Sequence, residues 1–89
     1  MKIIKISAMW CPSCLILNKT MKKIKEEYEN IEIIEYDYDF DSEQVKFYNP
    51  GELLPVLIFT DNNDKELKRL VGEKSKEDIV NTIKELGYE

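Results

Sequence analysis

The chain has 89 residues, fewer than the roughly 100–200 usual for one domain, so a single domain over residues 1–89 is expected, with its functional site on the rim of one core. A net charge of −5, from 13 Lys plus Arg against 18 Asp plus Glu, repels phosphate backbones and anionic lipid, so neither nucleic acid nor a membrane is expected as a partner. Histidine is absent, which excludes Cys-His and Ser-His nucleophile pairs, His metal ligands and the usual general base.

In chain order, Lys2 to Ser7 is rich in Ile and reads as a strand covered on both faces. From Cys14, the positions Leu17, Met21, Ile24 and Tyr28 form one apolar stripe of a helix. That helix should begin near Cys11, because Pro12 suits a first helical position where a missing N–H costs nothing, and it closes at Glu29-Asn30. Ile31 to Phe40 alternates Ile34, Tyr36, Tyr38 and Phe40 against Glu35, Asp37 and Asp39, the pattern of a second strand. Ser42 is expected to cap a short helix running to about Tyr48 and ended by Asn49-Pro50-Gly51.

Pro55 to Thr60 and Lys65 to Val71 read as two strands, and the polar Asp61-Asn62-Asn63-Asp64 between them predicts an antiparallel hairpin. Ser75-Lys76-Glu77-Asp78 has the form of a capping box, opening a helix whose stripe is Ile79, Ile83 and Leu86 and which stops at Gly87. The order βαβαββα describes an α/β fold. A right-handed crossover makes the first two strands parallel, and three helices flank a four-stranded mixed sheet.

Two cysteines three positions apart, Cys11 and Cys14, do not make the disulfide framework of a small secreted domain. The opening Met1-Lys2-Ile3-Ile4-Lys5-Ile6 lacks a signal-peptide apolar stretch, and no run approaches the roughly 18 apolar residues of a membrane span. The expectation is a cytoplasmic, monomeric protein in a compartment that keeps thiols reduced. Cys14 is in phase with the buried stripe, whereas Cys11 is expected at the helix tip, within reach of solvent and a partner. At that tip the unpaired N–H groups and the positive end of the helix dipole favour a thiolate over a thiol. Cys11 is then the nucleophile toward a substrate disulfide and Cys14 the thiol that resolves the mixed disulfide.

Three other readings of the pair stand beside this one. A structural disulfide closing so small a loop would stabilise little. Zinc or an iron–sulfur cluster wants about four ligands, so two thiolates would hold one only across a dimer, and no metal site is expected within one chain. Two buried cysteines serving as small hydrophobes would not need Pro12 and a helix start between them.

Trp10-Cys11-Pro12-Ser13-Cys14 after the first strand resembles the active-site motif of the thioredoxin superfamily. Leu54-Pro55-Val56-Leu57-Ile58-Phe59 resembles the family strand that opens with a cis-proline, and Leu70-Val71-Gly72-Glu73-Lys74-Ser75-Lys76 resembles the segment entering its last helix. The resemblance implies a thioredoxin-like fold and a thiol–disulfide oxidoreductase without a dissociable cofactor. Disulfide-containing proteins would be its substrates, and thioredoxin reductase or glutathione its electron donor. It also implies that Trp10, Pro12, Leu54, Pro55, Val71 and Gly72 dock substrate, Leu54 through its backbone and Gly72 by letting a substrate chain come close.

The extra strand and helix that precede the motif in full-length thioredoxins have no counterpart here. Pro12 directly after the first cysteine resembles glutaredoxin instead, but Glu52-Leu53-Leu54 and Asp61-Asn62-Asn63-Asp64 stand where glutaredoxins hold glutathione, and they do not support such a site. Many thioredoxins carry a buried aspartate six residues before the first cysteine; Lys5 occupies that position, and Glu35 lies near the family's partner lysine. A charge-reversed pair of Lys5 with Glu35 beneath the cysteines follows as an expectation, with an ammonium that would favour their thiolates. The acidic series Glu32, Glu35, Asp37, Asp39 and Asp41 reads as a solvated face and loop, because alternation spreads the carboxylates instead of converging them.

Overall fold

Four successive buried residues, Ile3 to Ile6, put the first strand in the middle of the molecule, where both of its faces are covered. The computed structural model describes residues 2–49, 51 and 53–87. Its elements are β1 (Lys2–Ser7), α1 (Pro12–Glu27), β2 (Glu32–Asp37), α2 (Ser42–Tyr48), β3 (Val56–Thr60), β4 (Glu66–Val71) and α3 (Lys76–Glu85). The sheet order is β2-β1-β3-β4, with β1 parallel to β2 and antiparallel to β3, and β3 antiparallel to β4. This is the expected βαβαββα chain, including the parallel first pair and the hairpin.

Alternation along the two central strands divides the core. Ile3, Leu57 and Phe59 face Leu17, Met21 and Ile24 of α1 and Ile79 and Ile83 of α3. Ile4, Ile6, Val56 and Ile58 face the opposite side, where Val45 of α2 packs with Tyr36 and Tyr48. Each buried aliphatic side chain contributes roughly 1.5–3 kcal/mol relative to exposure, so these two layers fix the register of the sheet. One position breaks the pattern: Lys5 is buried on the α1 side of β1.

Two of the boundaries that differ from expectation share a cause. β2 ends at Asp37, not Phe40, because the Asp37 carboxylate accepts the N–H groups of Asp39 (2.8 Å) and Phe40 (3.0 Å) and rolls the chain into a turn. Phe40 is therefore left in solvent. Asp41, not Ser42, occupies the N-cap of α2, and it makes no side-chain cap bond there; its carboxylate instead accepts the Asp37 N–H at 2.8 Å. The helix ends at Asn49, in the left-handed region at φ 47°, where asparagine is tolerated. Pro50 of the expected stop, and Glu52 after it, lie outside the described residues.

α3 begins as its sequence suggests. Ser75 Oγ accepts the Asp78 N–H at 3.1 Å and the Asp78 carboxylate accepts the Ser75 N–H at 3.2 Å, a complete capping box.

Candidate functional site

β1 delivers the chain to the start of α1, where the Cys11 N–H bonds the Ala8 carbonyl at 3.2 Å and Pro12 takes the first helical turn. Cys11 is itself the N-cap, with extended backbone, and its Sγ accepts the Cys14 N–H at 3.3 Å. A helix terminus that presents an N–H to a sulfur stabilises negative charge there. Both cysteines are free thiols.

Cys14 lies one turn deeper and is 1% exposed. Burial, and then its hydrogen bond with Cys11, push its thiol pKa up to about 11, against smaller opposing pulls from the Ala8 backbone and the Lys5 ammonium. At neutral pH Cys14 therefore holds its proton.

Cys11 is more enclosed than the sequence suggests. It was expected within reach of solvent, yet it is only 6% exposed, because Leu54 and Tyr38 pack against Ala8, Cys11 and Cys14. The Cys11 thiol lies 3.8 Å from the Leu54 carbonyl, so the segment before β3 forms one wall of the site. The Leu54–Pro55 bond is cis. The Pro55 carbonyl accepts the Gly72 N–H at 2.9 Å, and Val71 stands opposite Val56, which brings the end of β4 to the same wall. Gly72 has φ 85°, a conformation glycine adopts without steric cost.

Trp10 is 61% exposed and is held in place by two groups. Its indole N–H donates to the Asp39 carboxylate at 2.8 Å, and its ring meets Tyr38 edge-on at 6.4 Å. Met9, Phe40, Leu53 and Val71 are also exposed on segments adjoining the dithiol. The cysteines thus sit in an apolar rim.

On the other side of Cys14 the surroundings are ionic. Lys5 Nζ donates to the carboxylate of Glu35, its neighbour across the β1–β2 ladder, and to Asn18 Oδ1. Asn18 is four residues after Cys14 on α1, so it lies one turn along the same helical face.

The structure brings Cys11, Cys14, Trp10, Pro12, Leu54 and Pro55 together around the start of α1, with Val71 and Gly72 beside Pro55 and the Lys5–Glu35 pair beneath. Three neighbours were missed from the sequence. Asn18 carried a usable signal in its spacing from Cys14, whereas Tyr38 and Asp39 read as strand residues because the turn that aims them at Trp10 depends on Asp37. Among the described residues no group of three or more acidic or Cys side chains converges to hold a metal ion. Nor, among the described residues, is any helix long and apolar enough to cross a membrane.

The Thioredoxin family pattern matches residues 1–85 of the chain. No curated protein sequence matches it significantly. Among solved structures, the chain is similar to thioredoxin-2 of a malaria parasite, with a TM-score of 0.86 at 24% identity over 94% of this chain and 81% of that one. A Fasciola hepatica thioredoxin gives a TM-score of 0.84 at 21% identity, over 94% and 78% of the two chains. A Schistosoma mansoni thioredoxin gives 0.83 at 24%, over 94% and 76%. At these identities the structural likeness speaks for the fold.

Proposed function

Because the chain belongs to the thioredoxin family, we propose that it is a thiol–disulfide oxidoreductase that reduces disulfide bonds in protein substrates, with Cys11 as nucleophile and Cys14 as resolving thiol. The observation that carries this reading is the dithiol at the start of α1, with Cys11 Sγ at the helix tip accepting an N–H and Cys14 protonated one turn below. The Cys11 thiolate attacks one sulfur of the substrate disulfide, and the other sulfur leaves as a thiolate that takes up a proton. Cys14 then gives up its proton and attacks the Cys11 sulfur, which breaks the mixed disulfide and frees the second substrate thiolate. Overall the substrate gains two electrons and two protons, and the protein ends with a Cys11–Cys14 disulfide.

Substrate docks on the rim. An extended segment lies along the backbone of Leu54 beside Cys11, in the manner of strand addition, flanked by Trp10, Pro12, Pro55, Val71 and Gly72. Electrons return through thioredoxin reductase; glutathione is the competing donor, disfavoured by the residues that stand where a glutathione site would be.

Trapping tests the roles. Cys14→Ser should accumulate a stable mixed disulfide through Cys11 when offered a disulfide-bonded protein such as insulin, and Cys11→Ser should accumulate none. If Cys11→Ser traps instead, the assignment is reversed. Insulin reduction driven by thioredoxin reductase, set against turnover of a glutathione mixed disulfide, identifies the donor.

A further inference from the structure

β2 has β1 on one side and, among the described residues, no strand on the other. The Tyr38 N–H bonds the Ser7 carbonyl, so alternation turns the main-chain groups of Ile34 and Tyr36 toward β1 and those of Ile33 and Glu35 outward. The outward row closes at Asp37, whose N–H and carbonyl are taken by the carboxylate and N–H of Asp41. On the α2 face of the sheet, where Tyr36 packs, a groove of about 280 Å³ is lined by Tyr36, Glu43, Gln44, Phe47 and Tyr48. Tyr36 and Tyr48 stack at 6.1 Å, and Phe47, itself 80% exposed, meets Tyr48 edge-on at 5.0 Å. Glu43 stands one turn before Phe47 on the same helical face, and among the described residues its carboxylate has no hydrogen-bond or ion-pair partner. We propose that the open side of β2 and this groove together dock an extended, arginine-bearing segment of another protein, its main chain pairing with Ile33 and Glu35 and its guanidinium lying on the rings of Phe47 and Tyr48 beside Glu43.

The occupant follows from charge and shape. Main-chain pairing with an added strand supplies affinity for any extended peptide, and the pockets that meet its alternate side chains supply the selection. Aromatic faces attract cations, and the Glu43 carboxylate beside them is a charge still to be matched. Arginine fits better than lysine, because a guanidinium is planar and weakly hydrated, stacks on a ring and can offer two parallel N–H groups to one carboxylate. An acidic segment is repelled, since β2 itself carries Glu32, Glu35 and Asp37. The surface uses no residue of the dithiol site, so the inference stands apart from the thiol–disulfide reading and is tested by binding alone.

The test is titration of the full chain, reduced and isotope-labelled, with the blocked pentapeptide acetyl-Thr-Val-Arg-Val-Thr-amide, followed by NMR. The Ile33 and Glu35 amide signals and the Tyr36, Phe47 and Tyr48 ring signals should shift together and saturate. The same peptide with citrulline, a neutral near-isostere, in place of arginine should bind at least about fivefold more weakly, and Phe47→Ala and Glu43→Gln should each weaken the arginine peptide roughly three- to tenfold. Both side chains are exposed, so the two variants keep the fold. A citrulline peptide that binds within twofold of the arginine one overturns the inference, as does an affinity unchanged in both variants. Shifts confined to the surroundings of Trp10, or none that saturate, overturn it as well. Loss of the Ile33 and Glu35 signals on concentrating the chain alone would assign this edge to a second copy and likewise overturn it.

Discussion

Around Cys11 the chain leaves large apolar side chains in water, among them Trp10, Leu53 and Val71, whereas beneath Cys14 it buries a lysine and binds it to an asparagine and a carboxylate. The two sulfurs are only three residues apart, yet one faces a mouth made of apolar surface and the other a floor made of charge. The mouth supplies area for a peptide to cover, and burial of that area on docking is favourable without any particular sequence. The floor supplies a fixed field where a substrate cannot reach. Exposed apolar surface and buried charge are in this way carried by different side chains on the two sides of the dithiol.

The sharpest way to break this division is Cys11→Ser, which should take protein disulfide reduction to background while leaving the fold intact, since Ser retains an acceptor for the Cys14 N–H; measurable turnover would show that the mouth is not where the reaction starts. A second test addresses the floor. The Cys14 thiol is raised by burial from 9.0 to about 11, so the folded state favours the protonated form more than the unfolded chain does. The stability this contributes, about 2–3 kcal/mol, is fully present below pH 9 and is lost as pH climbs toward 11. Denaturant unfolding of the reduced protein should therefore weaken over that interval more steeply than that of Cys14→Ala, and parallel curves would contradict the buried thiol.

At the mouth, Trp10→Ala should cost about 1–2 kcal/mol of substrate binding, a rise of roughly five- to thirtyfold in KM for a protein disulfide. Reduction of a small aromatic disulfide should barely change, and an equal loss on both would place Trp10 in the chemistry. The smallest effect is remote from both regions. Ser75→Ala should remove the capping box of α3 at about 1 kcal/mol of stability, seen as a shift in the denaturation midpoint with kcat unaltered.

Much of this was legible before any coordinates. Pro12 after Cys11 marked the start of α1, the Leu17, Met21 and Ile24 stripe its buried face, and Asp61 to Asp64 the hairpin, because each of these signals is local and none competes with a tertiary contact. The pairing of Lys5 with Glu35 came from comparison with a family pattern, and parallel register sets the two residues side by side. What escaped were features assembled from distant segments. The enclosure of Cys11 comes from Leu54 and Tyr38, which no spacing rule connects to it. The end of β2 was misplaced for a different reason: alternation continued through Phe40, but the Asp37 side chain out-competed the ladder for backbone N–H groups.

In the order β2-β1-β3-β4, β2 is an outer strand, and among the described residues one row of its main-chain polar groups has no neighbouring strand. Such a margin is a template for amyloid-like stacking of one molecule on another. β2 carries Glu32, Glu35 and Asp37 along its six residues, so a second copy aligned there would set carboxylate against carboxylate. Glu35 consequently answers two demands at once: inward it neutralises a lysine, and along the margin it defends the molecule against aggregation. Removing its charge should therefore weaken the lysine's ion pair and the repulsion along the margin together.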